Sequence, residues 1–261
     1  ERSSVSKPSY VSLDQRTHVL HRPDMYIGSI KNATVDFYGA DYEKNKEEDQ
    51  DNKKIEDDEQ DRDIVITKKR GEINSGLHRI FIEVLSNAID NVWRSSSTDT
   101  KCTKIKVDIS DKGMVTVWND GLSIPVEINE ETKLYNPEMI FGKLLTSSNY
   151  DDNEQRMTSG KNGLGSKATN IFSKEFSVKL FDPHTGHQYV QTWRNNMSEK
   201  DKAKITSPKQ KNGYTQISFL PDFERFGVTE LSQDMKSLFF KNIVDTAMIT
   251  GVGVYYNGEK I

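Results

Sequence analysis

The stretch from Asn74 to Arg94 constrains the fold of this chain most, because its pattern predicts one long amphipathic helix. The apolar residues recur at i, i+3, i+4 and i+7, the spacing that places side chains on one face of a 3.6-residue repeat. They are Leu77, Ile80, Phe81, Val84, Leu85, Ala88 and Val92. We therefore expect this face to form part of the core.

A polar stripe follows the same spacing along the helix, about a third of a turn from the apolar face. It consists of Glu83, Asn87, Asp90 and Asn91. A nucleotide site could use Asn87 as an oxygen ligand for a hard cation and Glu83 as a base for water. Polar stripes on helices are also ordinary solvated faces, so the helix alone does not establish a site.

Composition leaves room for one large domain or two small ones in 261 residues, of which 34% are hydrophobic and 29% charged. No run approaches the ~18 apolar residues of a membrane span, and the first ten residues lack a signal-peptide pattern, so we expect an intracellular protein without a membrane partner. The single cysteine, Cys102, predicts no internal disulfide. The net charge of -4 neither supports nor excludes DNA binding.

Two early segments stand out from the rest of the chain. In the first, Asp14 can cap a short helix that Pro23 ends, and Tyr26 lies just before Gly28, so residues 1–30 are interpreted as an N-terminal arm. In the second, residues 41–63 hold twelve acidic and five basic residues. Such a segment buries too little apolar surface to offset its ordering entropy, which predicts a mobile acidic insertion.

After the central helix, residues 104–110 and 114–120 alternate apolar and polar side chains around a Gly113 turn, which predicts a β-hairpin. The hairpin ends in Asn119, Asp120 and Gly121. An acid followed by glycine at a strand end suits a backbone that turns beside a ligand, although the same triplet is also a common turn signal.

A second helix is expected from Asn136, with Pro137 at its first position, and it leads into the polar loop 146–152. Residues 158–167 follow with three glycines before a further short helix. Backbone N–H groups of such a loop can approach an anion, so a phosphate cradle is possible. The spacing does not fit the P-loop pattern.

The remaining chain predicts antiparallel strands within 175–221, a helix over 229–249 and a further strand from residue 251. His184 and His187 lie in a turn marked by Pro183 and Gly186. They lack a third ligand, so we interpret them as turn residues rather than as a metal pair.

Three motifs in this order, at 83–91, 119–125 and 160–167, resemble the signature boxes of the GHKL ATPase superfamily. Within it the chain resembles the N-terminal ATPase domain of eukaryotic-type type II DNA topoisomerases. The segments that begin at His18, Pro137 and Tyr189 also resemble the sequence pattern of that family. The resemblance implies an α/β two-layer sandwich with a mixed sheet and helices on one face. It also implies an arm at 1–30, an ATPase domain at 31–250 and the start of a transducer domain at 251–261.

The resemblance implies ATP and Mg²⁺ as cofactors and gives roles to particular residues. Glu83 would be the general base, Asn87 the Mg²⁺ ligand, and Asp120 the acceptor for the adenine amine, with Asn91 and Asn119 beside the nucleotide. Tyr26 would reach the partner subunit's nucleotide on an exchanged arm. Ribose and phosphate contacts would come from Ser147, Ser148 and Asn149, and the lid from Gly160, Lys161, Asn162, Gly163, Leu164, Gly165, Ser166 and Lys167.

The chain departs from the family pattern in three places. Ser123 stands where the family usually has glycine, which puts a side chain near the expected adenine pocket. Lys161 replaces the usual lid arginine and loses its bidentate geometry. The family's Gln-Thr-Lys loop is absent, since the Gln191-Thr192-Trp193 segment is expected to lie in a strand.

The resemblance implies an ATP-hydrolysing gate that dimerises with nucleotide and acts on double-stranded DNA in the full-length enzyme. It implies a nuclear location, or a viral or cytoplasmic one if the source is a virus. The alternative is an ATP-switched dimerisation clamp that does not hydrolyse ATP.

Overall fold

The computed structural model describes residues 14–43, 63–144 and 164–261. The helices are α1 (Gln15–His21), α2 (Ser75–Ser95), α3 (Asn136–Gly142), α4 (Gly165–Ile171) and α5 (Gln233–Thr250), with a 3-10 turn at Pro23–Met25. The strands are β1 (Asn32–Tyr42), β2 (Ile64–Asn74), β3 (Lys104–Ile109), β4 (Val115–Asp120), β5 (Ser173–Asp182), β6 (His187–Arg194), β7 (Glu199–Lys200), β8 (Lys204–Thr206), β9 (Tyr214–Pro221), β10 (Gly253–Tyr256) and β11 (Glu259–Lys260).

One large sheet carries the domain, in the order β11-β10-β3-β4-β9-β5-β6-β7, with β8 paired to β6. β10 runs parallel to β3 and the other pairs are antiparallel, so the sheet is mixed. Alternate residues such as Ile105, Val107 and Val117 are buried in one core with the apolar face of α2. The expected two-layer α/β architecture is confirmed.

Helix α2 forms where the periodicity predicts it. The side chain of Asn74 caps it by accepting a hydrogen bond from the Leu77 N–H at 3.1 Å. The same side chain donates to the carbonyl oxygens of Ile30 and Phe226, at 2.8 and 3.2 Å. Asn74 therefore fixes the start of α2 to two other parts of the chain, which sets the position of the polar stripe.

The antiparallel ribbon β1–β2 was not expected from the sequence. It pairs Asn32 with Asn74 at one end and Tyr42 with Ile64 at the other, and one side packs on α5. The expected acidic insertion at 41–63 is therefore too wide, because Asp41 and Tyr42 belong to β1 and the Tyr42 ring packs against Phe240 at a tilt, with ring centres 4.8 Å apart. The Glu43 N–H donates to the Asp63 carbonyl at 2.7 Å, and residues 44–62 lie outside the described part of the chain.

The two ends of the described chain pack on this same domain. At the C-terminal end, β10 is hydrogen-bonded to β3 in the main sheet. Residues 251–261 were expected to begin a separate domain, but their strands β10 and β11 belong to this sheet. At the N-terminal end, Val19 and Ile27 of the arm are buried in the core. Among the described residues, no helix combines the length and apolar character that crossing a membrane requires.

Candidate functional site

A cavity of about 340 Å³ opens between α2 and the ends of β4 and β9. Its size falls in the range of small-molecule sites. The walls are mostly apolar, with a few amide and hydroxyl groups between them, which is the composition expected for a flat organic ring with polar edges. The lining residues used below are Val84, Asn87, Ala88, Asn91, Val117, Asn119, Ser123, Phe141, Ser166, His184, Thr215 and Ile217.

The polar stripe of α2 faces this cavity at two positions one turn apart. Asn87 lines it and donates to the hydroxyl of Ser166, at the start of α4, at 3.4 Å. Asn91 is buried and donates to the carbonyl oxygens of Asp120 and Leu122, at 3.1 and 3.0 Å. Asn91 thus fixes the turn after β4, and its buried Oδ1 has no hydrogen-bond partner among the described residues. A ligand that donates a hydrogen bond could satisfy that oxygen.

Glu83 lies one turn before Asn87 on α2 and is not itself among the residues that line the cavity. Its carboxylate pairs with Arg79 at 2.5 Å, and its side chain is 22% exposed. The same carboxylate lies directly against the backbone of Gly165, where an added Cβ would come within 2.7 Å of Glu83 Cδ. Glycine is required at position 165 if this carboxylate is to keep its place.

The structure places the side chains of Asn119 and Asp120 on opposite faces of the sheet. Asn119 is buried and lines the cavity. Asp120 faces the other side of the sheet, where its carboxylate accepts from the Thr103 N–H, the Thr103 hydroxyl and the Lys104 N–H, at 2.7, 2.6 and 2.8 Å. Asp120 does not line this cavity, because successive residues of a strand point to opposite faces.

Lys167 is a buried cation at the start of α4, with 8% of its surface exposed. Burial and the nearby charge of Lys143 lower the pKa of Lys167. No salt bridge joins Lys167 to a carboxylate within the described ranges 14–43, 63–144 and 164–261. Two cations that disfavour each other's charge suit an anion that would sit between or beside them.

The other expected ligand residues divide into two groups. Leu164, Gly165 and Ser166 are described, at the cap and first turn of α4, whereas Ser147, Ser148, Asn149, Gly160, Lys161, Asn162 and Gly163 lie outside the described residues. Tyr26 does not line the cavity in this single chain; its hydroxyl lies 3.0 Å from Nδ1 of His18. Gln191 and Thr192 lie in β6, as expected.

Several cavity residues were not identified from the sequence, and two of them are polar residues on or beside the strands of the main sheet. His184 lines the cavity from the turn between β5 and β6, and Thr215 lines it from β9. Residue 215 pairs with Asn119, so the strand register could have indicated it, whereas His184 depends on a turn whose position the sequence does not specify. The hydroxyl of Ser123 donates to the Tyr214 carbonyl at 3.4 Å, which turns it toward β9.

Metal binding at this site would not rest on a dense cluster of side chains. Within the described part of the chain, no group of three or more His, Cys, Asp or Glu residues could hold a metal ion.

Residues 72–224 match the family described as histidine kinase-, DNA gyrase B-, and HSP90-like ATPase. The chain is 40% identical over 273 residues to a DNA topoisomerase 2 of Invertebrate iridescent virus 6, covering 99% of this chain and 22% of that protein. It is also 40% identical over 254 residues to the DNA topoisomerase 2 of Saccharomyces cerevisiae, covering 97% of this chain and 16% of that protein. The chain therefore spans less than a quarter of the length of either relative.

Two solved structures have the same fold as this chain. The ATPase region of Saccharomyces cerevisiae topoisomerase II matches with a TM-score of 0.79 and 39% identity, over 97% of this chain and 61% of that one. The ATPase and transducer domains of DNA topoisomerase II from Balamuthia mandrillaris match with a TM-score of 0.78 and 36% identity, over 99% of this chain and 62% of that one.

Proposed function

Because this chain belongs to the histidine kinase-, DNA gyrase B- and HSP90-like ATPase family and resembles the ATPase region of type II topoisomerases, we propose that it binds and hydrolyses Mg·ATP in the cavity beside α2. The observation that carries the proposal is the meeting of Asn87, Asn119 and Ser166 in one cavity, with Glu83 one helical turn before Asn87 and against Gly165.

The base end of the cavity fits adenine. Val84, Ala88, Val117 and Ile217 supply apolar walls for the ring, and the amide of Asn119 can accept a hydrogen bond from an exocyclic amine. We therefore assign to Asn119 the role that the family resemblance implies for Asp120. Thr215, which pairs with Asn119 across the strands, supplies a second polar group on the same wall.

The phosphate end fits a magnesium complex of a polyphosphate. Mg²⁺ keeps several waters and takes few protein ligands when substrate phosphates complete its shell, so one amide oxygen from Asn87 is an adequate protein contribution. The bound ion would neutralise charge on the phosphates. Lys167, two residues after Gly165, would contribute a cation that attracts the phosphates; burial and the nearby Lys143 charge lower its pKa.

Glu83 is suited to the proton transfer that hydrolysis requires. Its carboxylate is one turn from Asn87, which places a base next to the phosphate end, and Arg79 and Gly165 hold it there. A positioned carboxylate that takes a proton from the attacking water contributes ~10²–10⁴-fold to such reactions. Arg79 acts through Glu83 and is a positioning residue.

At the level of the whole enzyme, we propose a homodimeric gate that closes on double-stranded DNA when nucleotide binds, with Tyr26 of the arm as part of the nucleotide-dependent contact. A nuclear location is proposed for a cellular source, and a cytoplasmic or viral one for a virus.

The test is steady-state ATP hydrolysis by the full-length protein, wild type and Glu83→Gln. We expect the variant to bind a non-hydrolysable ATP analogue almost as tightly as the wild type and to turn over at least ~10²-fold more slowly. A wild-type protein that binds the analogue and dimerises without turnover would support the non-hydrolysing clamp instead.

A further inference from the structure

A second cavity, of about 350 Å³, lies on the opposite face of the sheet from the nucleotide cavity. Trp118 and Asp120 of β4 line it, whereas Val117 and Asn119 of the same strand line the first. Its remaining lining comes from β3 and from the segment before β9. Those residues are Lys104, Lys106, Gln210, Lys211, Asn212, Gly213 and Tyr214. We call this second cavity the lysine groove.

The lysine groove concentrates positive charge in a chain whose net charge is -4. Residues 101–106 hold three lysines and residues 202–213 hold four, and neither segment contains an acidic residue. The fold brings the two segments to the same groove, since Lys104 and Lys106 lie on β3 and Lys211 lies just before β9. Such a local charge attracts a polyanion even when the whole protein is acidic.

The cations of the groove are available for a ligand. No salt bridge is found for Lys104, Lys106 or Lys211 within the described residues. The carboxylate that lines the groove, Asp120, already accepts three hydrogen bonds, from the Thr103 N–H, the Thr103 hydroxyl and the Lys104 N–H. Lys106 lies between two rings, 5.1 Å from the centre of Trp118 and 5.9 Å from that of Tyr255, which holds its ammonium in place.

The aromatic rings support the cations rather than offering open stacking surfaces. Trp118 stacks on Tyr214 with ring centres 6.2 Å apart, and Lys106 covers the Trp118 ring. Single-stranded nucleic acid binds by stacking bases on exposed aromatic faces, which this arrangement does not provide. Duplex DNA instead presents a regular row of phosphates to lysines.

We propose that the lysine groove binds the sugar-phosphate backbone of duplex DNA. The site would contact phosphates without reading sequence, because lysine ammoniums on a sheet face reach the backbone and no side chain of the groove is placed in a helix or ribbon that could enter the major groove. It does not depend on the nucleotide cavity, since β4 separates the two.

The proposal is tested by fluorescence anisotropy of a labelled 20-base-pair duplex titrated with this chain at several salt concentrations. The variant carries Lys104→Gln, Lys106→Gln and Lys211→Gln. We expect its affinity to fall by at least ~10-fold near 0.1 M salt. The slope of log affinity against log salt should decrease by about 2–3, close to one for each phosphate that the variant no longer neutralises.

A matched control carries Lys31→Gln, Lys112→Gln and Lys236→Gln, which remove the same charge from residues outside the groove. We expect it to keep at least most of the wild-type affinity and slope. Affinity for an ATP analogue, measured in parallel, should stay at the wild-type value in both variants. If the triple variant were to unfold at a lower temperature, Lys211→Gln alone should still reduce the slope by about one.

Equal losses in the groove and control variants would overturn the proposal, as would failure of the wild-type chain to bind the duplex at low salt. Stronger binding to a single strand of the same length would place the ligand in a different class. Displacement of the duplex by polyglutamate at equal charge concentration would assign the groove to an acidic protein segment instead.

Discussion

At the residue scale, side chains alternate between the two faces of β4, so only one of two neighbouring polar residues faces the cavity that we propose binds nucleotide. Asn119 faces the cavity and Asp120 faces away, with three hydrogen bonds to the start of β3. We expect Asn119→Ala to weaken binding of an ATP analogue at least ~10-fold, the scale of removing one hydrogen bond and leaving its buried partner unpaired, with little change in Tm. Calorimetric titration and thermal unfolding measure the two effects.

Asp120→Ala is the matched variant, and the opposite result is expected for it. Removing the acceptor for three donors should cost about 1–3 kcal/mol and lower Tm by a few degrees, while analogue affinity stays within about threefold. A large loss of affinity in Asp120→Ala together with normal binding by Asn119→Ala would restore the role first expected for the acid.

A substitution at Gly165 is expected to lower turnover without lowering stability. In Gly165→Ala the new Cβ would collide with the Glu83 carboxylate, which is the flexible end of a side chain and can move aside. Alanine favours a helix over glycine by about 1 kcal/mol, so we expect Tm to hold or rise. Turnover in the full-length protein should nevertheless fall by ~10-fold or more because the base is displaced. A variant with normal turnover would show that the Glu83 position is not critical.

Lys167 is expected to lower the stability of the folded protein. Because its pKa lies below the ordinary 10.5, the charged form is less favourable in the folded state than in the unfolded state. Its penalty is fully present below the lowered pKa and disappears as pH rises from that pKa toward 10.5. We expect Lys167→Met to raise Tm by a few degrees at pH 7, to lose that advantage toward pH 10, and to weaken analogue binding.

Thermal scans between pH 7 and pH 10 check the Lys167 prediction, with Lys143→Gln as the companion variant. Removing the Lys143 charge should relieve part of the same penalty, because that charge is one of the two causes of the shift. A lower Tm for Lys167→Met across the whole range would mean that Lys167 is paired in the folded protein.

At the element scale, the ribbon β1–β2 defines how much of the acidic segment can be removed. Deleting residues 44–62 and joining Glu43 to Asp63 through a short turn keeps every described contact, so Tm should change by less than about 2 °C. Deleting residues 41–63 also removes Tyr42 from Phe240 and Asp41 from Lys69, and should lower Tm by several degrees. Equal Tm values for the two deletions would contradict this division.

The sequence predicted those elements whose local pattern agrees with their place in the fold. Helix α2 and the hairpin β3–β4 have regular periodicity, so both were placed within one or two residues. The ribbon was missed because its strands mix Lys, Arg, Asp and glycine, and its stability comes from distant α5. Gly71, for example, leaves room for Asp234, whose Cγ would lie 2.6 Å from an added Cβ.

At the scale of the whole molecule, the sequence can indicate residues that lie near one another on one helix, but not residues that only the fold brings together. Spacing identified Glu83 and Asn87, which lie one turn apart on a helix. It could not identify His184 and Thr215 as cavity residues or show which of Asn119 and Asp120 faces the cavity, since these depend on strand register and on which face of the sheet the helices cover.

Nucleotide should control the association state of this chain. Without nucleotide we expect mainly monomer, because Val19 and Ile27 hold the described part of the arm on its own core. A non-hydrolysable ATP analogue should produce dimers, since a ligand shifts an equilibrium through stronger contacts with one state. Sedimentation velocity with and without the analogue measures this.

Tyr26→Phe and Tyr26→Ala separate the hydroxyl of this residue from its ring in the same experiment. We expect the alanine variant to lose most of the analogue-induced dimer and the phenylalanine variant to keep part of it. Tight dimers without nucleotide, or dimers that are indifferent to Tyr26→Ala, would remove the arm from the proposed gate.

The parallel pairing of β10 with β3 has a mechanical consequence. A force along β10 acts on all of its hydrogen bonds to β3 at the same time. These bonds therefore resist the force in shear and do not break one after another. Asn257 adds two more ties to β3, through the Val107 carbonyl and the Ile109 N–H at 2.9 and 2.8 Å. Since β3 pairs in turn with β4, tension on this end of the sheet reaches the strand that carries Asn119. The strand that lines the proposed nucleotide cavity therefore also carries mechanical load.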